Sequence, residues 1–460
     1  MAEVEQVDRI SNLPDALLLE ILSFLSTKEA VATSILSKRW KFFWTQVPVL
    51  NFSMYGSVSV NCFNAFVDRV LICNDTKSLR LCQFKCTCRR IVNALQYYKW
   101  IRNIMRRDVV EIDLNLKRGK LPSGIFSNEK LMVLKLTDFY SPLRNSIHLP
   151  NLLTLHLTRI KFSEKFSLDD ILMRLPRLEE LIILNCFILQ NMCIRSSSLK
   201  RLNLFDLYRM EEDKIDTIVA VPSLEYLCID DFILDCKFDI MPSLTEARLH
   251  IRFRDSFREQ VFKFLQQVSN NLMTLELQVD ITKVSLGGDE HDQMSLFPHL
   301  KHLVVKGRNC RLIKCSKLSW RYLVLWILQR APNLVSLDYS VKSNVCYCSP
   351  VLATYLPKCR IPTLEVVNIS LFEWGKADKR VLEYLLKNAV NLKVLTINLK
   401  DTVYGKTIAA LTRLFNVPRA SSVYVKAKTI QFLKLYNVSY CAGVCNLNLY
   451  EWTIPLHIRF

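Results

Sequence analysis

The stretch Leu149–Thr158, with the sequence LPNLLTLHLT, contains the phrase that decides the fold: apolar-x-x-apolar-x-apolar. Apolar residues that alternate with variable ones are typical of a β-strand with one buried face. Repetition of the phrase predicts a solenoid, because one repeat cannot bury its apolar face until a neighbour stacks on it. At intervals of 20 to 34 residues, the phrase begins at Val109, Leu131, Leu152, Leu178, Leu199, Leu224, Leu244, Leu272, Leu300, Leu334, Leu364 and Leu392.

Proline turns introduce many of the strands, and helical segments separate some of them. The residue before a proline avoids the helical backbone, so a proline marks the entry to a strand. Such prolines are Pro150, Pro176, Pro222, Pro242 and Pro332. Helical spacing occurs between phrases at 168–175, 257–268, 322–329 and 381–389. We therefore predict an α/β solenoid, with a curved parallel sheet and with helices and loops on its outer side.

The leucines of the phrase are predicted to form the core, and the variable residues between them to face a ligand. These variable residues differ in charge and size, so they indicate no chemical class of ligand. They are Lys135, His156, Ile182, Asn203, Cys228, Arg248, Glu276, Val304, Asp338, Asn368 and Thr396.

A second stretch, Asp8–Phe52, has the spacing of three short helices. The third begins near Trp40 and ends before Pro48, which cannot continue a helix. The capping signals are Asn12 with an early Pro14 for the first helix and a Ser26–Glu29 capping box for the second. The first helix is predicted to carry one apolar stripe, made of Leu17, Leu18, Ile21, Leu22 and Leu25.

This helical segment carries more large apolar side chains than about forty residues can bury by themselves. Some of them must therefore contact another surface. That surface belongs either to a partner protein or to the rest of the same chain, and the spacing alone does not distinguish the two.

Length and charge allow several kinds of protein. The 460 residues suffice for two or three domains or one extended solenoid, and half of them are apolar. A net charge of +19 can attract nucleic acid, acidic proteins or anionic membranes. The densest basic runs are short and interrupted by apolar residues, which favours solvated faces over a nucleic-acid footprint. These runs are Arg102–Arg107, Lys117–Lys120 and Arg308–Lys317.

The sixteen cysteines are expected to be reduced thiols, since no signal peptide precedes Asp8. The closest pairs are Cys86 with Cys88, Cys346 with Cys348 and Cys441 with Cys445. None has histidines at zinc spacing, so we expect no metal. No apolar run approaches the ~20 residues that span a bilayer, so no membrane segment is expected. The expected compartment is the cytosol, the nucleus or both.

The motifs of common enzyme classes are absent from the sequence. It contains no GxSxG, HExxH, GxxxxGK[ST] or GxGxxG, and it has only nine glycines. Cys228-Ile229-Asp230 has the Cys-x-Asp spacing of bacterial leucine-rich-repeat ubiquitin ligases, but it lies inside a repeat strand without an adjacent basic activator. We therefore predict a protein that is not an enzyme and holds no cofactor.

The helical segment resembles the plant F-box through Leu13-Pro14-Asp15, Ile21-Leu22-Ser23-Phe24-Leu25 and Leu36-Ser37-Lys38-Arg39-Trp40. The resemblance implies docking on a Skp-type adaptor and, through it, on a cullin-RING ubiquitin ligase. It also implies the residues that line or support the docking surface: Leu13, Pro14, Leu17, Ile21, Leu22, Leu25 and Trp40.

A C-terminal block resembles the FBD domain that ends many plant F-box and leucine-rich-repeat proteins. The match is carried by Pro357-Lys358-Cys359, 364–374, 381–399 and Arg419-Ala420-Ser421-Ser422. The predicted layout is an F-box at 1–52, a linker and solenoid cap at 53–108, irregular leucine-rich repeats at 109–355, FBD-like repeats at 356–425 and an unassigned tail at 426–460. The tail has alternating runs that could form an added pair of edge strands.

Two functions agree with this layout. In the first, the F-box binds the adaptor and the solenoid presents an unknown target protein to the ubiquitin machinery, so that the chain acts by proximity. In the second, the chain is a basic leucine-rich-repeat scaffold for nucleic acid or an acidic protein and has no role in a ligase. The F-box resemblance favours the first, and nucleic acid is not expected as a partner.

Overall fold

The structure is a computed structural model that describes Ile10, Val324 and residues 12–54, 59–86, 94–115, 121–138, 147–162, 168–188, 192–209, 217–230, 236–253, 258–281, 297–307, 327–341, 361–372, 376–399, 424–430 and 449–454. The chain forms two compact units. The first comprises Met1–Ser223 with Asp235–Asp239, and the second comprises Leu224–Leu234 with Ile240–Phe460. Each unit is built on a mainly parallel β-sheet, which confirms the predicted repeat fold.

The first unit opens with helices α1 (Asp15–Ser23) and α2 (Thr27–Ala32) and 3₁₀ helices at Thr33–Ile35 and Trp40–Gln46. The third predicted helix is therefore a 3₁₀ helix. Strand and helix then alternate: β1 (Val49–Met54), α3 (Val60–Cys73), β2 (Ser78–Cys86), α4 (Ala94–Ile104), β3 (Asp108–Asn115), β4 (Val133–Thr137), β5 (Thr154–Thr158), α5 (Leu168–Leu172), β6 (Glu180–Leu184) and β9 (Arg201–Phe205).

These seven strands pair in parallel in the order β1-β2-β3-β4-β5-β6-β9. Short strands form two further parallel sheets in the same unit. One joins β7 (Phe187–Ile188) to β10 (Tyr208–Arg209), and the other has β11 (Thr217–Ala220) between β8 (Cys193–Arg195) and β13 (Cys236–Phe238).

The second unit continues the same strand phrase. Its sheet has the order β12-β14-β15-β16-β17-β18-β19-β20-β21, and only the last pair is antiparallel. The elements are β12 (Tyr226–Ile229), β14 (Glu246–Phe253), α6 (Arg258–Val268), β15 (Thr274–Ile281), β16 (His302–Gly307), β17 (Ser336–Val341), β18 (Val366–Phe372), α7 (Lys376–Asn388), β19 (Val394–Leu399), β20 (Tyr424–Ile430) and β21 (Leu449–Ile454).

The strand register brings the variable positions of successive repeats side by side. In β5, the half-buried His156 lies between the buried Leu155 and Leu157, and the other short strands show the same alternation. One row in the first unit consists of Asn51, Gln83, Asp113, Lys135, His156, Ile182 and Asn203. The row in the second unit consists of Cys228, Arg248, Glu276, Val304, Asp338, Asn368, Thr396 and Lys426. The predicted opposition of leucine core and variable face is confirmed.

In the turns before three strands, a short polar side chain bonds to the proline carbonyl of the preceding turn. Asn333 Nδ2 donates to the carbonyl of Pro298 at 2.7 Å, and Asn391 Nδ2 donates to that of Pro362 at 2.7 Å. Thr363 Oγ1 does the same to Pro332 at 2.7 Å. Each bond satisfies a turn carbonyl that belongs to no strand, so the polar side chain ties one repeat to the preceding one.

A left-handed residue follows four consecutive strands of the first sheet. Asp138, Arg159, Asn185 and Asp206 have φ between 50° and 63° and come directly after β4, β5, β6 and β9. Asp and Asn tolerate this backbone, whereas Arg rarely adopts it. Arg159 is held there by Asp138, which accepts from its Nε at 2.7 Å and from its Nη2 at 2.9 Å.

The C-terminal block agrees with its predicted pattern where the structure describes it. The predicted apolar stripe is buried: Leu382, Leu385 and Leu386 lie on α7, and Ala389 follows its last residue. In the tail, β21 pairs antiparallel with β20, so the tail contributes an edge strand. The motifs at 357–359 and 419–422, the basic runs at 117–120 and 308–317 and the cysteine pairs at 346/348 and 441/445 lie outside the described residues.

The predicted helix cap at Asn12 is wrong. Pro14 is the N-cap residue of α1 and makes no side-chain capping bond. The Leu13 N–H instead bonds to the Ile10 carbonyl at 3.1 Å, and this turn leaves Asn12 exposed and two residues short of the N-cap position. The predicted helix at 168–175 is shorter than expected, whereas α6 agrees with the prediction for 257–268.

We predict that Asn333→Ala lowers the free energy of unfolding by about 1 kcal/mol, because the Pro298 carbonyl loses its partner. Ser243 has the equivalent place after Pro242, and its side chain bonds to no described residue. Ser243→Ala is therefore the matched control and should be near neutral. Urea unfolding of both variants measures the difference, and equal losses would contradict a role for the turn bond.

Candidate functional site

The N-terminal helices enclose a small core of their own. Leu18 and Leu22, one turn apart on α1, pack with Ala30, Trp40 and Val47, and all five are at most 4% exposed. Leu13, Leu19, Leu25, Phe43 and Trp44 are partly buried around this cluster. The apolar stripe that was predicted as one surface is thus divided between an inner and an outer face.

The outer face of α1 presents a second apolar stripe to solvent. Leu17 is 52% exposed, Ile21 is 42% exposed and Phe24 is 79% exposed, and the spacing of four and three residues places them on one side of the helix. Ile10, Ile35, Leu36 and Phe42 of the same segment are also exposed. These seven are almost half of the sixteen exposed large apolar side chains among the described residues, and such a concentration indicates an interaction surface.

The seven site residues expected from the F-box resemblance differ in their exposure to solvent. Pro14, Leu17 and Ile21 are exposed, and Leu13 and Leu25 are partly buried. The other two, Leu22 and Trp40, are at most 4% exposed, so they support the helices from within and present nothing to a partner.

Sequence reasoning did not select five of the exposed residues: Ile10, Phe24, Ile35, Leu36 and Phe42. A signal for Phe24 was present in the sequence. Residues 17, 21 and 24 and residues 18, 22 and 25 form two parallel stripes one residue apart, and only one of them can face the internal core.

Arg39 fixes the start of α1, which lacks a side-chain cap. Its Nη2 donates to the Leu13 carbonyl at 2.6 Å and pairs with the Asp15 carboxylate. The guanidinium also lies 5.6 Å from the centroid of the Phe43 ring, over its face. The third helical segment thereby holds the Leu13-Pro14-Asp15 turn, from which the exposed stripe begins.

The predicted capping box of α2 is confirmed. The Glu29 N–H donates to Ser26 Oγ at 3.3 Å, and the Ser26 N–H donates to Glu29 Oε2 at 2.9 Å. The hydrogen bonds from the Ser26 side chain and backbone lower the pKa of Glu29. The box thus contains an ionised carboxylate near neutral pH, which suits the positive end of a helix.

Hydrogen bonds from side chains and backbone attach these helices to the first repeats. Thr27 Oγ1 accepts from the Asn51 N–H at 2.7 Å, and the Asp75 N–H donates to the Thr45 carbonyl at 3.0 Å. Asn74, buried at the end of α3, donates to the Val47 carbonyl at 3.3 Å. The helical segment and the strands β1 and β2 therefore form one packed body.

On the variable face of the first sheet, the charges are paired across strands. Lys135 Nζ lies 2.8 Å from Glu111, and His156 Nε2 lies 3.4 Å from Glu180. Arg201 lies 3.6 Å from the same Glu180. Burial lowers the pKa of His156 despite the nearby carboxylate, so the imidazole is neutral at pH 7.

The variable face of the second sheet contains a denser charge network. Arg248 lies 3.0 Å from Glu246 and 3.6 Å from Glu276, and its guanidinium is 5.4 Å from the centroid of the Tyr226 ring. Lys306 pairs with Glu276, which is only 9% exposed. A buried carboxylate needs such partners to remain ionised.

Cys228 lies inside this network as an ordinary strand residue. Burial raises its pKa, so the thiol and not the reactive thiolate predominates near neutral pH. Burial also raises the pKa of its neighbour Tyr226 to about 12. The effect of burial thus outweighs that of the neighbouring Arg248, which favours the thiolate.

The described part of the chain also contains a cleft between two of the strand-entry turns. An open cleft of about 410 Å³ lies beside the turns at Pro150 and Pro176 and is also lined by Ile147, His148 and Arg174. Within the described ranges, no group of three or more His, Cys, Asp or Glu residues is arranged to hold a metal ion. Nor do those ranges contain a helix of the length and apolarity that crossing a membrane requires.

We expect Arg39→Ala to lower the free energy of unfolding by about 1 kcal/mol, because the Leu13 carbonyl loses its bond from the guanidinium and Asp15 loses its ion pair. Hydrogen exchange should quicken first at the amides of Leu17 and Leu18, whose N–H groups bond to the Pro14 carbonyl. Lys41→Ala serves as the control, since Lys41 is exposed and lies near only the Phe42 ring. An unchanged rate of hydrogen exchange at the Leu17 amide would contradict this clamp, by which Arg39 holds the start of α1.

Comparison with known proteins gives three family matches along the chain. Residues 10–52 match the F-box domain, residues 97–305 match a family described as "FBD-associated F-box protein At5g56370, LRR repeats", and residues 353–397 match the FBD. The exposed stripe of α1 and the Arg39 clamp lie in the first match, and strands β4 to β15 lie in the second.

Whole-chain relatives come from Arabidopsis thaliana. The F-box/FBD/LRR-repeat protein At4g26340 is 30% identical over 440 residues, which cover 90% of this chain and 98% of the relative. The putative FBD-associated F-box protein At3g50710 is 29% identical over 457 residues and covers the same shares. F-box/LRR-repeat protein 13 is 28% identical over 444 residues, with 91% and 95% covered.

Proposed function

Because the chain belongs to the family of F-box/FBD/LRR-repeat proteins, we propose that it is the substrate-recognition subunit of a Skp-cullin-F-box ubiquitin ligase. In this proposal the N-terminal helices bind a Skp-type adaptor, which links the chain to the cullin-RING ligase. The repeats bind the protein that is to be ubiquitinated.

The outer stripe of α1 is the observation that carries the proposal. Leu17, Ile21 and Phe24 remain exposed although Leu18 and Leu22 already fill the internal core beneath them. A second apolar face that its own unit leaves uncovered is suited to a partner protein. Apolar anchors of this kind supply much of the affinity of a protein interface.

The remaining site residues take indirect roles. Arg39 holds Leu13 and Asp15 in place, and Trp40 and Leu22 hold α1 against the 3₁₀ helix from within. Their replacement would impair adaptor binding through the position and stability of α1. Phe24, Ile35, Leu36 and Phe42 join the contact residues because they are exposed in the same segment.

The target protein is assigned to the variable faces of the two sheets. Such faces present rows of side chains on rigid strands, and pairing within a row, as between Asn368 and Asp338 or Arg248 and Glu276, fixes their geometry before a ligand arrives. The chain would carry out no bond chemistry and would act by raising the local concentration of its target. Its cysteines with described surroundings are free thiols, which supports action in the reducing cytosol or nucleus.

Binding to a purified plant Skp-type adaptor tests the docking surface. The variant Leu17→Ser with Phe24→Ser should lose at least about tenfold in affinity, because both anchors are removed from the outer stripe. Met173→Ser is the matched control, since Met173 is 69% exposed in the same unit but outside the F-box match, and its affinity should equal wild type. Failure of the wild-type chain to bind any tested adaptor would sink the proposal.

The variant Leu22→Ala distinguishes a residue that stabilises α1 from one that contacts the adaptor. It should lower the free energy of unfolding by about 2–5 kcal/mol, because it opens a cavity in the core. Its affinity for the adaptor should remain near wild type at temperatures where the variant is folded. A large loss of affinity in the folded variant would instead place Leu22 in the interface.

A further inference from the structure

Helix α4 has an outer face that the proposed function does not use. Its inner face, made of Tyr97, Trp100, Ile101 and Ile104, is at most 2% exposed. On the outer face, Leu95 is 70% exposed and Tyr98 is 39% exposed. The helix thus buries one apolar face in the core of its unit and exposes further apolar side chains on its outer face.

Three cations lie on the same outer side. Lys99 and Arg102 follow Leu95 at intervals of four and seven residues, which are spacings of one helix face, and Arg106 lies in the turn directly after α4; all three are exposed. Among the described residues, no carboxylate forms an ion pair with any of them. We call Leu95, Tyr98, Lys99, Arg102 and Arg106 the α4 face.

The neighbouring helix α3 adds an exposed apolar residue and an exposed cation beside the α4 face. Asp68 of α3 accepts hydrogen bonds from Gln96 Nε2 at 2.8 Å and from Trp100 Nε1 at 2.6 Å, so the two helices lie side by side. One turn beyond Asp68, Ile72 is 79% exposed, and the adjacent Arg69 is exposed and forms no ion pair with a described residue. The Asp68 carboxylate is thus engaged by Gln96 and Trp100.

A solvated basic face would explain the cations but not the apolar residues. Outside residues 10–46, Ile72, Leu95 and Tyr98 are the exposed large apolar side chains that lie on described helices. All three lie on α3 and α4, next to the unpaired cations. This combination of aliphatic anchors with unpaired positive charge is complementary to an acidic amphipathic surface.

We infer that the α4 face is a second docking surface, which binds an acidic amphipathic helix of a partner protein. Carboxylates spaced along such a helix would pair with Lys99, Arg102 and Arg106, and its apolar residues would cover Leu95 and Ile72. A protein fits better than nucleic acid, because phosphates make no use of exposed aliphatic side chains such as Leu95 and Ile72. The inference does not depend on adaptor binding, since it concerns helices outside the F-box match.

The contact would be small. Two short helix faces offer less than the ~1,200 Å² of buried area that is typical of stable complexes, so we expect a dissociation constant of order micromolar. The affinity should also fall as salt rises, because exposed charges are screened.

The test uses the full-length chain and a fluorescent synthetic helix with Glu on one side and Leu on the other. A second peptide with Gln in place of Glu reports the contribution of charge. Lys99→Glu with Arg102→Glu should weaken binding of the acidic peptide by at least about tenfold, and Leu95→Ser should weaken it several-fold. The matched control is Lys130→Glu with Lys161→Glu, which makes the same change in net charge at exposed sites of the same unit and should leave affinity within about twofold.

Three outcomes would overturn the inference. Equal losses in the control pair would show attraction by net charge alone, and equal binding of the Gln peptide would remove the role of the cations. Tighter binding of an RNA or DNA duplex or of anionic vesicles, when it is abolished by the same Lys99 and Arg102 changes, would identify a nucleic-acid or membrane surface. Adaptor affinity, measured in parallel, should not change in any α4-face variant, so the two proposals can fail separately.

Discussion

The parallel pairing of successive strands is the interaction on which the rest of the structure depends. A single strand such as β5 is too short and too apolar on one side to be stable by itself, and Leu155 and Leu157 become buried only between their neighbours. The same register aligns the variable residues of adjacent repeats, so packing the core also builds the outer rows. The side-chain bond of Asn333 stabilises a turn before a strand, and the left-handed backbone of Asn185 turns the chain away after one.

The N-terminal helices are stabilised in a different way from the repeats. They cannot stack on copies of themselves, so they bury one stripe of α1 internally and are bonded to β1 and β2 through Thr27 and Asn74. What remains is the outer stripe, which no described part of the chain covers. The family relationship indicates the kind of partner that such a stripe meets, and the geometry indicates which side chains it would meet first.

Charge is distributed unevenly between the two sides of the repeats. On the variable faces, cations such as Arg248 and Lys135 are matched by carboxylates, so these faces add little to the long-range field of a chain with net charge +19. On α4, Lys99 and Arg102 form no ion pair with any described residue, and they lie beside exposed apolar groups. The net charge by itself therefore says little about binding, and the position of the unpaired charges says more.

The sequence alone determined the repeat, the α/β class, the opposition of leucine core and variable face, the capping box of Ser26 and the F-box resemblance. These follow from periodicity and from contacts between residues near one another in the chain, which a sequence displays directly. Only the tertiary structure decided which of the two stripes of α1 is buried, because that choice is made by Trp40 and Val47, far along the chain. It likewise moved the N-cap from the expected Asn12 to Pro14 and showed that Arg39 holds the turn before α1, with a bond that reaches back twenty-six residues to the Leu13 carbonyl and that no local pattern could reveal.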